Sequence, residues 1–186
     1  MLILLTGPEH VGKTTACWKA VPALRAAGMK VAGFVSPPLL DETGSKTGIE
    51  MLDLTNGEHQ TFARVVAPLK DSADEQPDVG VYRLVAGATE WARNVLAAAL
   101  LANVDWLVLD EIGPLELRGG GGFAFALEPL ADPIRVPNAI VVVRRSLVEE
   151  LAERLGRSDT VWVETNEVSR SETPTQLVKL ALEERR

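Results

Sequence analysis

The sequence is poor in the residues that form disulfides and metal clusters. Cys17 is the only cysteine, and His10 and His59 are the only histidines. An internal disulfide and a zinc cluster of cysteine and histidine ligands are therefore excluded. A chain with one cysteine fits a reducing compartment, so we expect a cytoplasmic location.

Long apolar runs and an excess of positive charge are also lacking. The longest apolar stretch, NVLAAALLANVDWLVL, is interrupted by Asn103 and Asp105 and falls short of the roughly 20 residues that cross a bilayer. The net charge of −7 argues against a broad surface for nucleic acid or anionic membranes, because both need clustered positive potential. We therefore expect no membrane span and no nucleic-acid partner, and an anionic substrate would have to be held by local geometry.

The chain of 186 residues is long enough for one well-buried α/β domain, which we expect to span residues 1–186. Apolar runs typical of buried strands alternate along it with helical patterns. This alternation predicts a three-layer α/β fold with a mostly parallel sheet and helices on both faces. Strands are predicted at 2–6, 30–35, 104–110, 138–143 and 160–164, and helices at 13–27, 88–102, 146–155 and from 173 onward.

One region has a different pattern. The stretch GIEMLDLTNGEHQTFARVV contains two β-like runs around Asn56-Gly57, which is the strongest short signal for a hairpin. We expect an antiparallel β-hairpin inserted at about residues 46–66. The polar segment 67–80, with two prolines, is predicted to be a surface loop. Further along, Ser146 with Glu149 and Thr173-Pro174 with Gln176 are predicted to cap the last two helices.

The segment GPEHVGKT, residues 7–14, matches the phosphate-binding pattern G-x-x-x-x-G-K-[ST] at every fixed position. It lies between a predicted buried strand and a helix, so that backbone N–H groups and the helix N-terminus face one anion. Lys13 is expected to reach the β- and γ-phosphates of a nucleotide, and the Thr14 hydroxyl to bind Mg²⁺. The predicted nucleotide-binding residues are Gly7, Pro8, Glu9, His10, Val11, Gly12, Lys13, Thr14, Thr15 and Asn166.

Two acids follow the apolar run WLVL. Asp110 and Glu111 stand where the carboxyl end of a strand is expected, at the edge where open α/β sheets bind ligands. Paired with the phosphate-binding loop, Asp110 is predicted to hold Mg²⁺ and Glu111 to orient or deprotonate the attacking water. The alternative is a solvated acid at a strand end. For Glu116, a second candidate base or metal partner, a structural role is favoured.

Positively charged and amide side chains follow two other strands. Arg144 and Arg145 follow NAIVVV, and because neighbouring residues on a strand face opposite sides, only one is expected to point at the site. Arg144 is the candidate that would offset charge on the transferred phosphoryl group, with a surface arginine as the alternative. Asn166 is a candidate for reading the base, or for making a turn. Lys46 is a weaker candidate, for which a solvated lysine is favoured.

With these motifs, the chain resembles the THEP1-type nucleoside-triphosphatases, a P-loop family related to RecA-like ATPases. The resemblance covers nearly the whole chain and rests on TGPEHVGKTT, on GF at 33–34, on DEIGPLEL at 110–117 and on IVVVRRS. It implies a P-loop NTPase fold and Mg²⁺-dependent hydrolysis of nucleoside triphosphates, with broad base tolerance. It also implies phosphate and metal binding by Lys13 and Thr14, with Asp110 at the metal and Glu111 acting on water. The chain departs from the family's usual pattern at VSPPLL, Lys46 and Leu115.

Two other functions share the same phosphate loop. A nucleotide or small-metabolite kinase would need an arginine-rich lid, and residues 67–82 contain only Lys70 as a basic residue. The glutamate directly after Asp110 also favours water as the acceptor. A slow nucleotide-dependent switch or adaptor stays open as the third function. Hydrolysis is the function that the motifs favour.

Overall fold

The computed structural model describes residues 1–66 and 81–184. Within these residues the strands are β1 (Leu2–Thr6), β2 (Val31–Val35), β3 (Pro38–Leu40), β4 (Lys46–Asp53), β5 (His59–Val65), β6 (Tyr82–Leu84), β7 (Trp106–Ile112), β8 (Ala139–Val143) and β9 (Thr160–Glu164). The α-helices are α1 (Lys13–Ala26), α2 (Ala88–Leu101), α3 (Pro114–Arg118), α4 (Leu127–Ala131), α5 (Val148–Leu155) and α6 (Thr173–Glu183).

All the strands belong to one sheet, in the order β6-β5-β4-β2-β7-β8-β1-β9, with β3 paired to β4. From β2 to β9 neighbouring strands run parallel. On the other side of β2, the strands β3 to β6 pair antiparallel. The predicted α/β fold is therefore confirmed, and the hairpin of β4 and β5 extends the main sheet.

Helices cover both faces of the parallel part of the sheet. Leu2 and Leu4 of β1 pack into a core that also contains buried residues of α2, α4 and α5. Ile3 and Leu5 point the other way, into a core shared with α1 and α6. Because side chains alternate along a strand, one continuous apolar run supplies both cores. The three-layer arrangement follows from this alternation.

Strand β2 ends at Val35, and Pro38 begins the separate strand β3, a position that tolerates proline. The predicted caps are not formed: no side-chain hydrogen bond caps α5, and Thr173 is inside α6. The Thr173 hydroxyl instead lies within hydrogen-bond distance of the Thr165 hydroxyl, at 2.9 Å, and of the Ser169 carbonyl oxygen, at 3.0 Å. The loop predicted at 67–80 lies outside the described residues.

Close contact between β2 and β7 brings their carboxyl ends together. Gly33 in β2 has φ of 105°, and a Cβ built on it would lie 1.9 Å from the carbonyl oxygen of Val108 in β7. A side chain at this position would therefore push the two central strands apart, besides straining its own backbone. Only glycine allows this register to be kept.

We expect Gly33→Ala to lower the free energy of unfolding by about 3 kcal/mol or more, because it combines a clash with main chain and an unfavourable φ. Gly44→Ala is the matched control, since Gly44 has φ of 82° with nothing within 4 Å of a built Cβ. Gly44→Ala should lower the free energy of unfolding by only about 1 kcal/mol, because it adds backbone strain without a clash. Urea unfolding of both variants measures the difference, and equal losses would contradict the close-contact argument.

Candidate active site

The loop between β1 and α1 is tightly wound. Gly7 has φ of 145°, and a Cβ built on it would lie 2.2 Å from the Thr165 carbonyl oxygen. Gly12 has φ of 102°, and His10 has φ of 60°. A loop that contains such conformations can direct several backbone N–H groups toward one concave side, which is the arrangement that binds anions. The loop ends at the N-terminus of α1, where the helix dipole favours negative charge.

Lys13 lies against this loop. Its Nζ donates hydrogen bonds to the carbonyl oxygens of Gly7, at 3.0 Å, and Pro8, at 2.7 Å. Burial lowers the pKa of the Lys13 ammonium, while the nearby carboxylates of Glu111, Asp110 and Glu9 raise it. Lys13 is therefore positioned at the mouth of the loop, near Asp110 and Glu111 of β7.

Asp110, on β7, is a buried carboxylate beside the loop and is only 2% exposed. Its Oδ2 accepts a hydrogen bond of 2.8 Å from the Ser36 N–H, and the Ser36 hydroxyl donates to the Asp110 carbonyl oxygen at 2.8 Å. The Thr14 hydroxyl lies near the same carboxylate. Burial raises the pKa of Asp110 to about 6, although the Ser36 N–H and the Thr14 hydroxyl lower it. Thr14 and Asp110, from separate segments, thus present their oxygens to one point.

These two residues fit a small divalent cation. In residues 1–66 and 81–184 no group of three or more histidine, cysteine or acidic side chains could hold a metal ion. A cation at the Thr14–Asp110 pair would therefore need oxygen ligands from a bound phosphate and from water. Mg²⁺ is typically bound in this way, through one or two protein oxygens together with substrate phosphates.

Arg144 connects the phosphate loop to the second acid of the pair. It follows β8, and its Nε donates to Glu111 Oε1 at 2.8 Å while an Nη lies 3.4 Å from Glu9 Oε1. The hydrogen bond to Glu111 raises the pKa of Arg144. Arg145 points elsewhere and pairs with Glu164 at 3.3 Å. The structure therefore brings Arg144, and not Arg145, to Glu111 and Glu9.

Other candidate residues lie nearby in different roles. Asn166 follows β9, and its Oδ1 accepts hydrogen bonds of 2.9 Å from the N–H groups of Val168 and Ser169. The oxygen of this amide is thus engaged in a turn. In the loop itself, Val11 is buried, whereas Pro8 and His10 are exposed, as is Thr15 on α1.

Glu116 and the glycine run after it form a closed turn behind the site. Glu116 accepts hydrogen bonds from the N–H groups of Gly113, at 2.9 Å, and Phe123, at 3.3 Å. A Cβ built on Gly122 would lie 2.0 Å from Glu116 Oε1, so the carboxylate occupies the inside of this turn. These contacts agree with the structural role favoured for Glu116.

Ser36 is a site residue that the sequence analysis missed. It follows β2 directly and holds both the carboxylate and the carbonyl of Asp110. A polar residue immediately after a buried strand, at the same edge as the other motifs, was the available signal. Ser36 reaches Asp110 because β2 lies next to β7, and no local sequence pattern predicts that pairing.

The raised pKa of Asp110 predicts how pH affects stability. Its folded pKa, about 6, is higher than the usual unfolded value of about 3.9, so its contribution to stability is complete below about pH 4 and is lost as pH rises through 6. Asp110→Asn should therefore stabilise the metal-free protein at pH 8 by up to about 3 kcal/mol, and much less at pH 4.5. Thermal unfolding at both pH values tests this. An equal effect at the two pH values would contradict it.

Comparison with known proteins agrees with this geometry. A family model described as NTPase matches residues 2–178. The nucleoside-triphosphatase THEP1 of Methanopyrus kandleri is 32% identical over 184 residues, which cover 97% of this chain and 95% of that protein.

Two solved structures share the fold. The solution structure of a human cancer-related nucleoside triphosphatase has a TM-score of 0.70 and 24% identity, and the match covers 96% of this chain and 95% of that one. The crystal structure of THEP1 from the hyperthermophile Aquifex aeolicus has a TM-score of 0.70 and 22% identity, with coverage of 97% and 99%. By its match to the family model and to the Methanopyrus kandleri protein, the chain belongs to the THEP1-type nucleoside-triphosphatases, a P-loop family.

Proposed function

We propose that this protein is a Mg²⁺-dependent phosphohydrolase that converts nucleoside triphosphates to diphosphates and phosphate, with broad tolerance of the base. The observation that carries the proposal is the meeting of three parts at one sheet edge: the loop with Lys13, the neighbouring side chains of Thr14 and Asp110, and the exposed acid Glu111. Family membership supports the same reaction.

The phosphate loop would bind the β- and γ-phosphates. Backbone N–H groups of residues 7–13 and the Lys13 ammonium would replace the water that surrounds these phosphates in solution. Thr14 and Asp110 would hold Mg²⁺, which supplies neutralising charge between the two phosphates when it is bound. Asp110 must be ionised for this role, and a nearby cation favours its ionised form.

Glu111 would act on the attacking water and Arg144 on the phosphoryl group. The water oxygen forms a bond to the γ-phosphorus while the bond to the β,γ-bridging oxygen breaks, and the diphosphate leaves with that electron pair. The proton of the water passes to Glu111. Arg144 lies beside Glu111 at 2.8 Å, so its guanidinium can turn to the γ-phosphate and offset the charge that develops there.

Base tolerance follows from where these contacts are made. Each group in the proposed mechanism binds phosphate, metal or water, and none of them touches the base. We assign base contact to the Asn166 amide nitrogen, because the oxygen of that amide is already bound in a turn. A cytoplasmic location is part of the proposal and rests on the single cysteine.

Glu111→Gln should lower kcat by about 10²- to 10⁴-fold and leave nucleotide binding intact, because only the group that accepts the proton is lost. Phosphate release from ATP, GTP, CTP and UTP with Mg²⁺, and again with the metal removed by a chelator, measures the effect. Binding of a non-hydrolysable analogue by calorimetry is the control.

If the wild type binds nucleotide but releases phosphate no faster than the variant, the hydrolase proposal is wrong. In that case a kinase would transfer the γ-phosphoryl group of ATP only to an added acceptor. A switch would need a partner protein on which to act.

The two neighbouring arginines provide a matched pair of variants. Arg144→Ala should lower kcat by about 10²-fold or more, because a positive charge at the transferred phosphoryl group is lost. Arg145→Ala should leave kcat unchanged, since its guanidinium pairs with Glu164. Equal effects of the two substitutions would contradict the role assigned to Arg144.

A further inference from the structure

Glu9 is an acidic residue inside the loop that would bind phosphates. It follows Gly7-Pro8 in the segment GPEHVGKT, at a position that the pattern G-x-x-x-x-G-K-[ST] leaves free. Its carboxylate brings negative charge next to the anion that such a loop holds, and like charges repel. Phosphate binding by the loop therefore gives no reason for an acid at this position, and the contacts of the side chain provide one.

The Glu9 carboxylate contacts Arg144, the arginine that also holds Glu111. An Nη of Arg144 lies 3.4 Å from Glu9 Oε1, with 46% of the arginine side chain and 68% of the glutamate side chain exposed. The Arg144 Nε makes a shorter contact, a hydrogen bond of 2.8 Å to Glu111 Oε1. A long ion pair between exposed side chains is weak, because water screens it and both side chains lose freedom in forming it. Glu9 is therefore the partner that Arg144 exchanges more easily.

The residues next to Glu9 contact the lysine of the loop. Lys13 Nζ donates hydrogen bonds to the carbonyl oxygens of Gly7, at 3.0 Å, and Pro8, at 2.7 Å. Three successive loop residues thus supply oxygen atoms to Lys13 and Arg144. Phosphate oxygens accept strong, charge-assisted hydrogen bonds from the same two kinds of donor. A γ-phosphate that contacts Lys13 and Arg144 therefore competes with oxygens of the loop itself.

We propose that Glu9 is a positioning residue that competes with the γ-phosphate for Arg144. The proposal rests on the proposed function, in which Arg144 offsets charge on the transferred phosphoryl group. When a triphosphate binds, its γ-phosphate replaces Glu9 at the guanidinium, and the hydrogen bond from Arg144 to Glu111 is kept. A diphosphate lacks the group that would replace Glu9. The Glu9 carboxylate therefore weakens binding of the triphosphate more than binding of the diphosphate.

The same exchange runs in reverse after hydrolysis. As the inorganic phosphate leaves, the Glu9 carboxylate returns to Arg144, so the guanidinium exchanges one anionic partner for another. Because Glu9 is covalently part of the loop, it stays close to Arg144 throughout, at a high effective concentration. Glu9 thus favours release of the phosphate that Arg144 has helped to form.

Nucleotide binding by the variant Glu9→Gln tests the competition. Its affinity for a non-hydrolysable triphosphate analogue with Mg²⁺ should rise about 5-fold, the upper range for loss of an exposed ion pair. Its affinity for the nucleoside diphosphate should rise by about 2-fold or less. Titration calorimetry measures both. In turnover, KM for the triphosphate should fall by a larger factor than kcat changes, because the competition acts on binding.

Glu164→Gln is the matched control. Glu164 is a partly exposed acid that lies 3.3 Å from an Nη of Arg145, so this variant removes the same charge from a similar arginine pair. Neither residue of that pair takes part in the proposed mechanism. The affinities for triphosphate and diphosphate should therefore stay near their wild-type values. Thermal unfolding of both variants checks that the fold is kept.

A double-mutant cycle distinguishes competition from simple repulsion. In an Arg144→Gln background there is no arginine to compete for, so Glu9→Gln should no longer raise the affinity for the triphosphate analogue. Repulsion through space predicts the opposite, a gain at least as large, because Arg144 no longer offsets the charge of Glu9. A gain that persists in the Arg144→Gln background overturns the proposal. So does an equal gain for both nucleotides, or no gain in Glu9→Gln alone.

The binding measurements do not need turnover, which keeps this proposal distinct from the hydrolase proposal. If the wild type releases no phosphate but the cycle shows coupling between Glu9 and Arg144, the hydrolase proposal fails and the competition stands. If hydrolysis is confirmed and the coupling is absent, only the competition fails.

Discussion

The burial of one carboxylate, Asp110, is the constraint on which the rest of the site depends. A carboxylate that is 2% exposed requires hydrogen bonds; the Ser36 N–H after β2 donates one, and the Thr14 hydroxyl of α1 lies near it. These contacts join a strand end, a neighbouring strand end and the first turn of a helix. The close contact at Gly33 between β2 and β7 makes the Ser36 bonds geometrically available. The metal-binding oxygens are therefore positioned by the core of the sheet.

An acidic chain can nevertheless bind a highly charged anion. The net charge is −7, but the phosphate loop contributes backbone N–H groups and a helix N-terminus, which are not counted in that charge. Formal positive charge at the edge comes from Lys13 and Arg144, on separate segments. Arg144 is paired with Glu111 and Glu9. Local geometry, not total charge, determines which ligand fits.

The errors made from the sequence concern local signals that tertiary contacts override. Thr173 has the position of a helix cap, but its hydroxyl bonds instead to Thr165, beneath the phosphate loop. In the same way, strand β7 runs on through Asp110 and Glu111 to Ile112. The apolar runs of the parallel strands were predictable, because burial on both faces leaves a strong pattern.

The sequence by itself determined the α/β class, the phosphate loop and the acids after WLVL, since each depends on neighbours along the chain. A glycine turn before Lys13 and Thr14 specifies anion binding through backbone conformations that residues 7–14 encode locally. Only the tertiary structure decided which arginine reaches Glu111, that Ser36 holds Asp110, and that Lys46 lies over Tyr82. Those contacts join residues that are distant in sequence, and the order of strands in the sheet, which no local pattern encodes, brings them together.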